Sequence, residues 1–298
     1  MKRKLLFLVS ALIAVGTLAL AQSGPLGIAY QFTHTQNMDP TFSPDGKEMI
    51  YISVVAGKEQ LFRVGLDGKN PLQLTRDDAD HEDPAWSPDG KHVAFVLIHE
   101  KVEQIHLMDP DGGNVTPLTP KESKTIHPSW SPDSRRVIFC TDDDLAPPKK
   151  NDSDILAMDI ATHETTKLIS GGVNTFPVWS PDGTKLAFRR MLGERNSEVF
   201  LANENGSDPK NLTNDPAFDG WPAWSPDGKQ IAFASNRRGN HEIFVMNADG
   251  SGVRKAANSE GRATSPKWSK DGKKLYFTNC KKVDLGIDCE IYAIDVPR

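Results

Sequence analysis

At 298 residues the chain is long enough for one large repeat domain or for two ordinary ones. A quarter of its residues are charged (25%), yet the formal net charge is only −5. With no basic excess, nucleic acid is not an expected partner, and beyond the first twenty residues no apolar run is long enough to cross a bilayer.

In chain order, Met1-Lys-Arg-Lys4 is basic, and residues 5–20 are apolar apart from Ser10, Gly16 and Thr17. Ala19-Leu-Ala21 then offers small residues where a signal peptidase would cut. This is the pattern of a secretory signal peptide, and the apolar run is short for a permanent anchor. Residues 1–21 are therefore expected to be removed, leaving residues 22–298 as the mature domain in the periplasm or outside the cell. No cysteine follows the cut, so no lipid anchor is expected.

Six copies of one phrase follow. The clearest is Pro222-Ala-Trp-Ser-Pro-Asp-Gly228, and the others start at Pro40, Pro84, Pro128, Pro177 and Pro266. The steps are 44 or 45 residues, except for 49 from Pro128 to Pro177. A fixed period of that length marks a repeat architecture. Pro-x-Trp reads as a short strand with a ring to bury, and Ser-Pro-Asp-Gly as a tight turn. Ile231-Ala-Phe-Ala234 reads as a second strand and Glu242-Ile-Phe-Val-Met-Asn247 as a third. Asn247-Ala-Asp-Gly250 turns the chain into a weaker fourth. Four antiparallel strands make one propeller blade, so the expected fold is all-β: a six-bladed β-propeller of four-stranded blades. The extra residues of the longest step fall in residues 142–150, expected to form a long loop.

The stretch from Trp221 to Ala257 resembles a blade of the TolB-type, WD-like β-propeller repeat family, and the resemblance extends over residues 27–298. It is specific for the fold rather than for a function. TolB proteins carry an extra domain before the propeller, and the sequence offers no counterpart to it. Its role is therefore not carried over.

The last repeat lacks a fourth strand, while residues 28–33 have no blade of their own and match the fourth strands of other repeats. They are expected to complete the sixth blade and so remove its open edge. Cys280 and Cys289 flank the last hairpin loop and are expected to form a disulfide in an oxidising compartment. Cys140 reads as a buried thiol.

The catalytic scan is mostly negative. No Gly-x-Ser-x-Gly elbow or phosphate-cradling loop is present, and no His-Glu pair has a second histidine four residues on. The six turn aspartates (Asp45, Asp89, Asp133, Asp182, Asp227, Asp271) read as turn formers. The informative positions are those that vary between copies. Immediately before the repeat prolines stand Asp39, Asp83, His127, Phe176, Trp221 and Ser265. They are expected on one rim of the channel with Met38, Phe218, Arg189, Arg190, Arg237, Arg238 and Arg262. Aromatics and arginines together suit a recognition surface, although Phe176 and Trp221 could equally plug the channel, and Arg237 and Arg238 could be solvated loop charge. His34, His81 and His127 come from three consecutive rim segments and are candidate metal ligands together with Asp83 or Asp39, while the acidic run 77–83 could hold a cation but reads rather as a solvated loop.

The leading expectation is an exported, non-enzymatic propeller with no cofactor, binding an envelope or periplasmic protein through its rim. The resemblance to TolB implies that role, since the TolB propeller docks a peptidoglycan-associated lipoprotein. Two alternatives stand beside it. One is a metal-dependent carbohydrate-active enzyme resembling oligogalacturonate lyase, resting on the three histidines. The other is a small-molecule or peptide sensor in which Phe176 and Trp221 stack on the ligand.

Overall fold

The computed structural model describes residues 36–69, 71–142, 152–284 and 286–296, with the backbone of Tyr30–Gln31. The expected signal peptide, His34 and nearly all of the 142–150 loop lie outside the described residues. The described residues form six four-stranded antiparallel sheets. Blade 5 is representative: Asp219–Trp224 innermost, then Gln230–Arg238, Asn240–Asn247 and the short outer strand Arg254–Lys255. Each innermost strand contacts the next, and the first contacts the last, so the ring closes.

The sixth blade has the order Tyr30–Gln31, Gly286–Asp295, Lys274–Val283, Arg262–Trp268. Tyr30 pairs with Ala293 and Gln31 with Tyr292. The expected closure strand is thus present as a two-residue strand. Cys280 and Cys289 are direct cross-strand partners and are bonded. They sit within the two strands rather than at their ends, because the pairing continues to Val283 and Gly286.

The turns explain the repeated phrase. Ser43 Oγ donates to Asp45 Oδ1 at 2.7 Å and accepts from the Glu48 amide at 3.0 Å, while the Asp45 carboxylate accepts from the Lys47 amide. Both side chains are consumed by the turn they build. The Ser–Asp hydrogen bond recurs at Ser87, Ser131, Ser180, Ser225 and Ser269. In five of the six turns the serine hydroxyl is the first reason the aspartate stays below the usual carboxylate range. The last position needs a positive φ, supplied by glycine in five copies and by Ser134 (φ 59°) in the third. Ser134 Oγ there accepts the Asp89 amide of the neighbouring turn at 2.9 Å, a link glycine could not make.

Rings within the blades build much of the core. Eleven residues after each repeat proline stands Tyr51, Phe95, Phe139, Phe188, Phe233 or Phe277, all buried. In four blades a second ring faces it across the ladder, as Phe233 faces Phe244 at 5.9 Å; blade 2 uses His106. Each such ring contributes about 2–3 kcal/mol of burial. Two of the repeat tryptophans join blades: Trp130 Nε1 donates to Ala85 O at 2.8 Å, and Trp268 Nε1 to Ala223 O at 3.0 Å. Among the described residues no helix is long and apolar enough to cross a membrane.

Candidate functional site

All six residues that precede the repeat prolines adopt the left-handed backbone conformation, with φ of 47° at Asp39, 49° at Asp83, 54° at His127, 53° at Phe176, 53° at Trp221 and 51° at Ser265. The ladder of each innermost strand breaks there, as between Gly220 and Ala223 or between Glu82 and Ala85. Each position is a β-bulge, which re-aims one side chain. A non-glycine residue in this conformation costs about 1–2 kcal/mol, and strain of this kind collects at functional sites. The sequence expected these residues on a rim. The bulges turn them into the channel, where they line a cavity of about 560 Å³ that reaches the Ser-Pro-Asp-Gly turns.

The channel is chemically split. Blades 1, 2 and 6 supply Asp39, Asp83 and Lys267, with Glu59 and Glu82 near enough for their charges to act on this group. Asp83 accepts the His127 amide, yet burial and then Asp39 push its carboxyl up to about 7. Burial, followed by Asp83 and Glu59, pushes Glu82 up to about 9. Protonated Glu82 therefore donates to Glu59, whose own pKa is raised chiefly by burial. Lys267 is open to the cavity but ringed by protein. That environment lowers its pKa, against the pull of Asp39 and Asp83.

Blades 3 to 5 supply rings. His127 lies 3.6 Å from Phe176, Phe176 5.3 Å from Trp221, and Trp221 5.0 Å from Phe218, measured between centroids. His241 closes the row, 5.0 Å from Phe218. Burial, then the Arg262 charge, brings its pKa down to about 4, so its imidazole is neutral. The guanidinium of Arg189 sits between Phe176 and Phe218, 5.0 and 5.3 Å from their centroids. Arg262 lies 5.7 Å from Trp221.

The remaining sequence candidates are dispersed. Arg237 is held at 2.7 Å by fully buried Asp219 and packs on Phe233 and Phe244, so its charge is used inside blade 5. Arg238 is exposed near the hairpin tip, 6.0 Å from Phe244. Arg190 packs on Phe200 and donates to Asn174 Oδ1 at 2.7 Å. His81 is buried against Phe95, 3.4 Å from Asp77, and burial lowers its pKa, so it is a neutral core imidazole. His127 faces Asp83 at 3.8 Å and buried Cys140 at 3.2 Å. The structure does not bring His81 to His127. Among the described residues no group of three or more His, Cys, Asp or Glu side chains is placed to hold a metal ion.

Sequence reasoning missed Lys267, Glu59 and Glu82. Lys267 had a signal: the same slot holds Thr41, Ala85, Ser129, Val178 and Ala223 in the other copies, all uncharged. Glu59 and Glu82 belong to different blades at unrelated repeat positions, so only the fold pairs them.

These features define a closed six-bladed propeller with a split, side-chain-lined channel. A family profile for the TolB beta propeller domain matches residues 27–146 and 94–291. The chain belongs to that family. No curated protein matches it. Among solved structures it is similar to TolB from Acinetobacter baumannii, at 22% identity and a TM-score of 0.67, with 78% of this chain and 57% of that one covered. It thus spans little more than half of that protein. A putative TolB from Agrobacterium tumefaciens gives 23% identity and a TM-score of 0.67, covering 92% of this chain and all of that one (100%). An oligogalacturonate lyase from Vibrio parahaemolyticus gives 14% identity and a TM-score of 0.60, covering 93% and 99%. At such identities these likenesses speak for the fold.

Proposed function

We propose that the chain is an exported, periplasmic binding propeller, without a catalytic role, that receives a narrow segment of a protein partner in its channel. The observation carrying this reading is the set of six bulges. Each accepts an unfavourable backbone conformation to point a chemically different side chain at the same space. Rigid scaffolds that present varied groups in this way are built for recognition. The basic-then-apolar start of the sequence, the Cys280–Cys289 bond and the likeness to TolB structures support export, with residues 1–21 removed and residues 22–298 forming the working domain. N-terminal sequencing of protein recovered from the periplasm tests that part; a start at Met1 refutes it. A photo-crosslinker at Ser265, inside the channel, tests the binding part against one at exposed Lys185. The captured protein should then bind the purified chain and lose affinity on Trp221→Ala. Equal capture from both positions refutes the channel.

The cavity volume favours a second reading, a small-molecule or peptide sensor, since about 560 Å³ falls within the range of ligand pockets. Quenching of tryptophan fluorescence by such a ligand, abolished in Trp221→Ala, is the expected sign. Quenching that survives the substitution counts against it.

A further inference from the structure

We infer that the cluster of arginines and rings beside the channel-lining Phe176 and Trp221 is a carboxylate-binding site that takes the acidic side chain of a peptide segment; this rests on the protein-binding reading above. Aromatic rings lie against Arg189 and Arg262. Phe176, Phe218 and Trp221 stand 5.0, 5.3 and 6.0 Å from the Arg189 guanidinium carbon, and Trp221 stands 5.7 Å from that of Arg262. Rings hold a guanidinium by its face and leave its edge, the fork of N–H donors, for a partner.

Among the described residues neither arginine has a carboxylate within ion-pair distance. Arg237 and Arg63, elsewhere in the same ring of blades, each have one at 2.7 Å. Arg190 Nε is satisfied instead by Asn174 Oδ1 at 2.7 Å. Arg189 Nε is buried without an acceptor, and so is His241 Nε2. The two guanidinium groups lie close enough for each charge to oppose the other, and Arg189 remains a cation at neutral pH, its pKa brought down by burial only to about 10. An anion between them relieves both the repulsion and the unmet donor.

Room for Arg189 is built in. A Cβ on Gly220 would stand 2.8 Å from Arg189 Cδ and 3.1 Å from the Phe218 ring. A carboxylate fits the fork in its plane with two parallel hydrogen bonds. The flanking Phe176, Phe218 and Trp221 suit apolar neighbours of an acidic residue, which is why the occupant is a peptide rather than a free ion.

The test uses the full mature chain and two fluorescently labelled, end-capped synthetic peptides, Gly-Phe-Glu-Glu-Phe-Gly and its Gln-Gln counterpart. Fluorescence anisotropy should show the Glu peptide binding on the order of tenfold or more tightly than the Gln peptide, with the preference falling as salt rises. Arg189→Gln should abolish that preference. Arg262→Gln, at an exposed position where folding is not at stake, should reduce it. Equal binding of the two peptides, no binding of the Glu peptide, or a preference unchanged in both variants overturns the proposal. So does a result in which trigalacturonate binds through Arg189 while the Glu peptide does not, since the occupant is then a sugar acid. The two readings also fail separately. A crosslinked partner that binds wild type and the double variant equally leaves the channel reading standing and removes the carboxylate site. An Arg189-dependent Glu preference without any captured protein supports the site and removes the partner.

Discussion

Replacing Asp83 by Asn should make the protein more stable at pH 8 and change it much less at pH 4. The Asp83 carboxyl titrates at about 7 in the folded channel against 3.8 as the ordinary value, because burial and then Asp39 disfavour its charge. A folded pKa raised above the unfolded one means that the group's favourable contribution is complete below pH 3.8 and is lost as pH rises through about 7. The full difference corresponds to at most ~4 kcal/mol. The side chain is 25% exposed and Lys267 offsets part of the penalty, so about 2 kcal/mol is the realistic gain. Asn tolerates the left-handed backbone at least as well as Asp, and any benefit from that is the same at both pH values and cancels. Urea unfolding of both proteins at pH 4, 6 and 8 measures the effect. The stability difference should grow steadily with pH. A constant difference refutes the reasoning and would mean that Asp83 titrates as a solvated carboxyl.

Four further outcomes follow from the geometry. Gly220→Ala should fold, since the backbone there is ordinary strand, but should displace Arg189 and weaken the Glu-peptide preference toward that of Arg189→Gln; unchanged binding would show that Arg189 does not need that slot. Trp130→Phe should cost about 1 kcal/mol in thermal or urea unfolding through the lost bond to Ala85 O, whereas Trp224→Phe, whose Nε1 has no partner, should cost less. Asp227→Asn should destabilise at pH 6 and not at pH 2. The Ser225 hydroxyl holds the Asp227 pKa down, so its contribution exists above the ordinary carboxylate range and disappears as pH falls; equal penalties at both pH values contradict this. Reducing the Cys280–Cys289 bond, or making the paired Ser variant, should cost about 2–3 kcal/mol for so short a loop, read as a lower Tm that reductant no longer alters in the variant.

Much of the fold was legible because one local rule was written six times. Ser-Pro-Asp-Gly specifies its own turn through contacts within five residues, so it needs no partner from elsewhere. Ring closure was legible for a complementary reason: one blade lacked a strand and one strand lacked a blade. The bulges were not legible, since nothing in alternating hydrophobicity signals a left-handed residue inside a strand. Asp39, Asp83, His127, Phe176 and Trp221 were singled out only because they varied beside an invariant proline. Arg237 looked like a rim charge because its partner Asp219 stands 18 residues earlier on the adjacent strand. Glu59 and Glu82 meet across a blade boundary that no spacing rule crosses.

The two-residue strand Tyr30–Gln31 ties the start of the described chain to its last blade. Looping over so long a distance, rather than within one blade, adds only roughly 2 kcal/mol of entropy. The consequence is kinetic. Until that short strand arrives, Gly286–Asp295 presents a bare edge, and the matching strand of another molecule is an equivalent partner for it. Refolding at high protein concentration should therefore trap exchanged dimers and open chains of molecules that dilute refolding avoids, a difference size-exclusion chromatography would reveal.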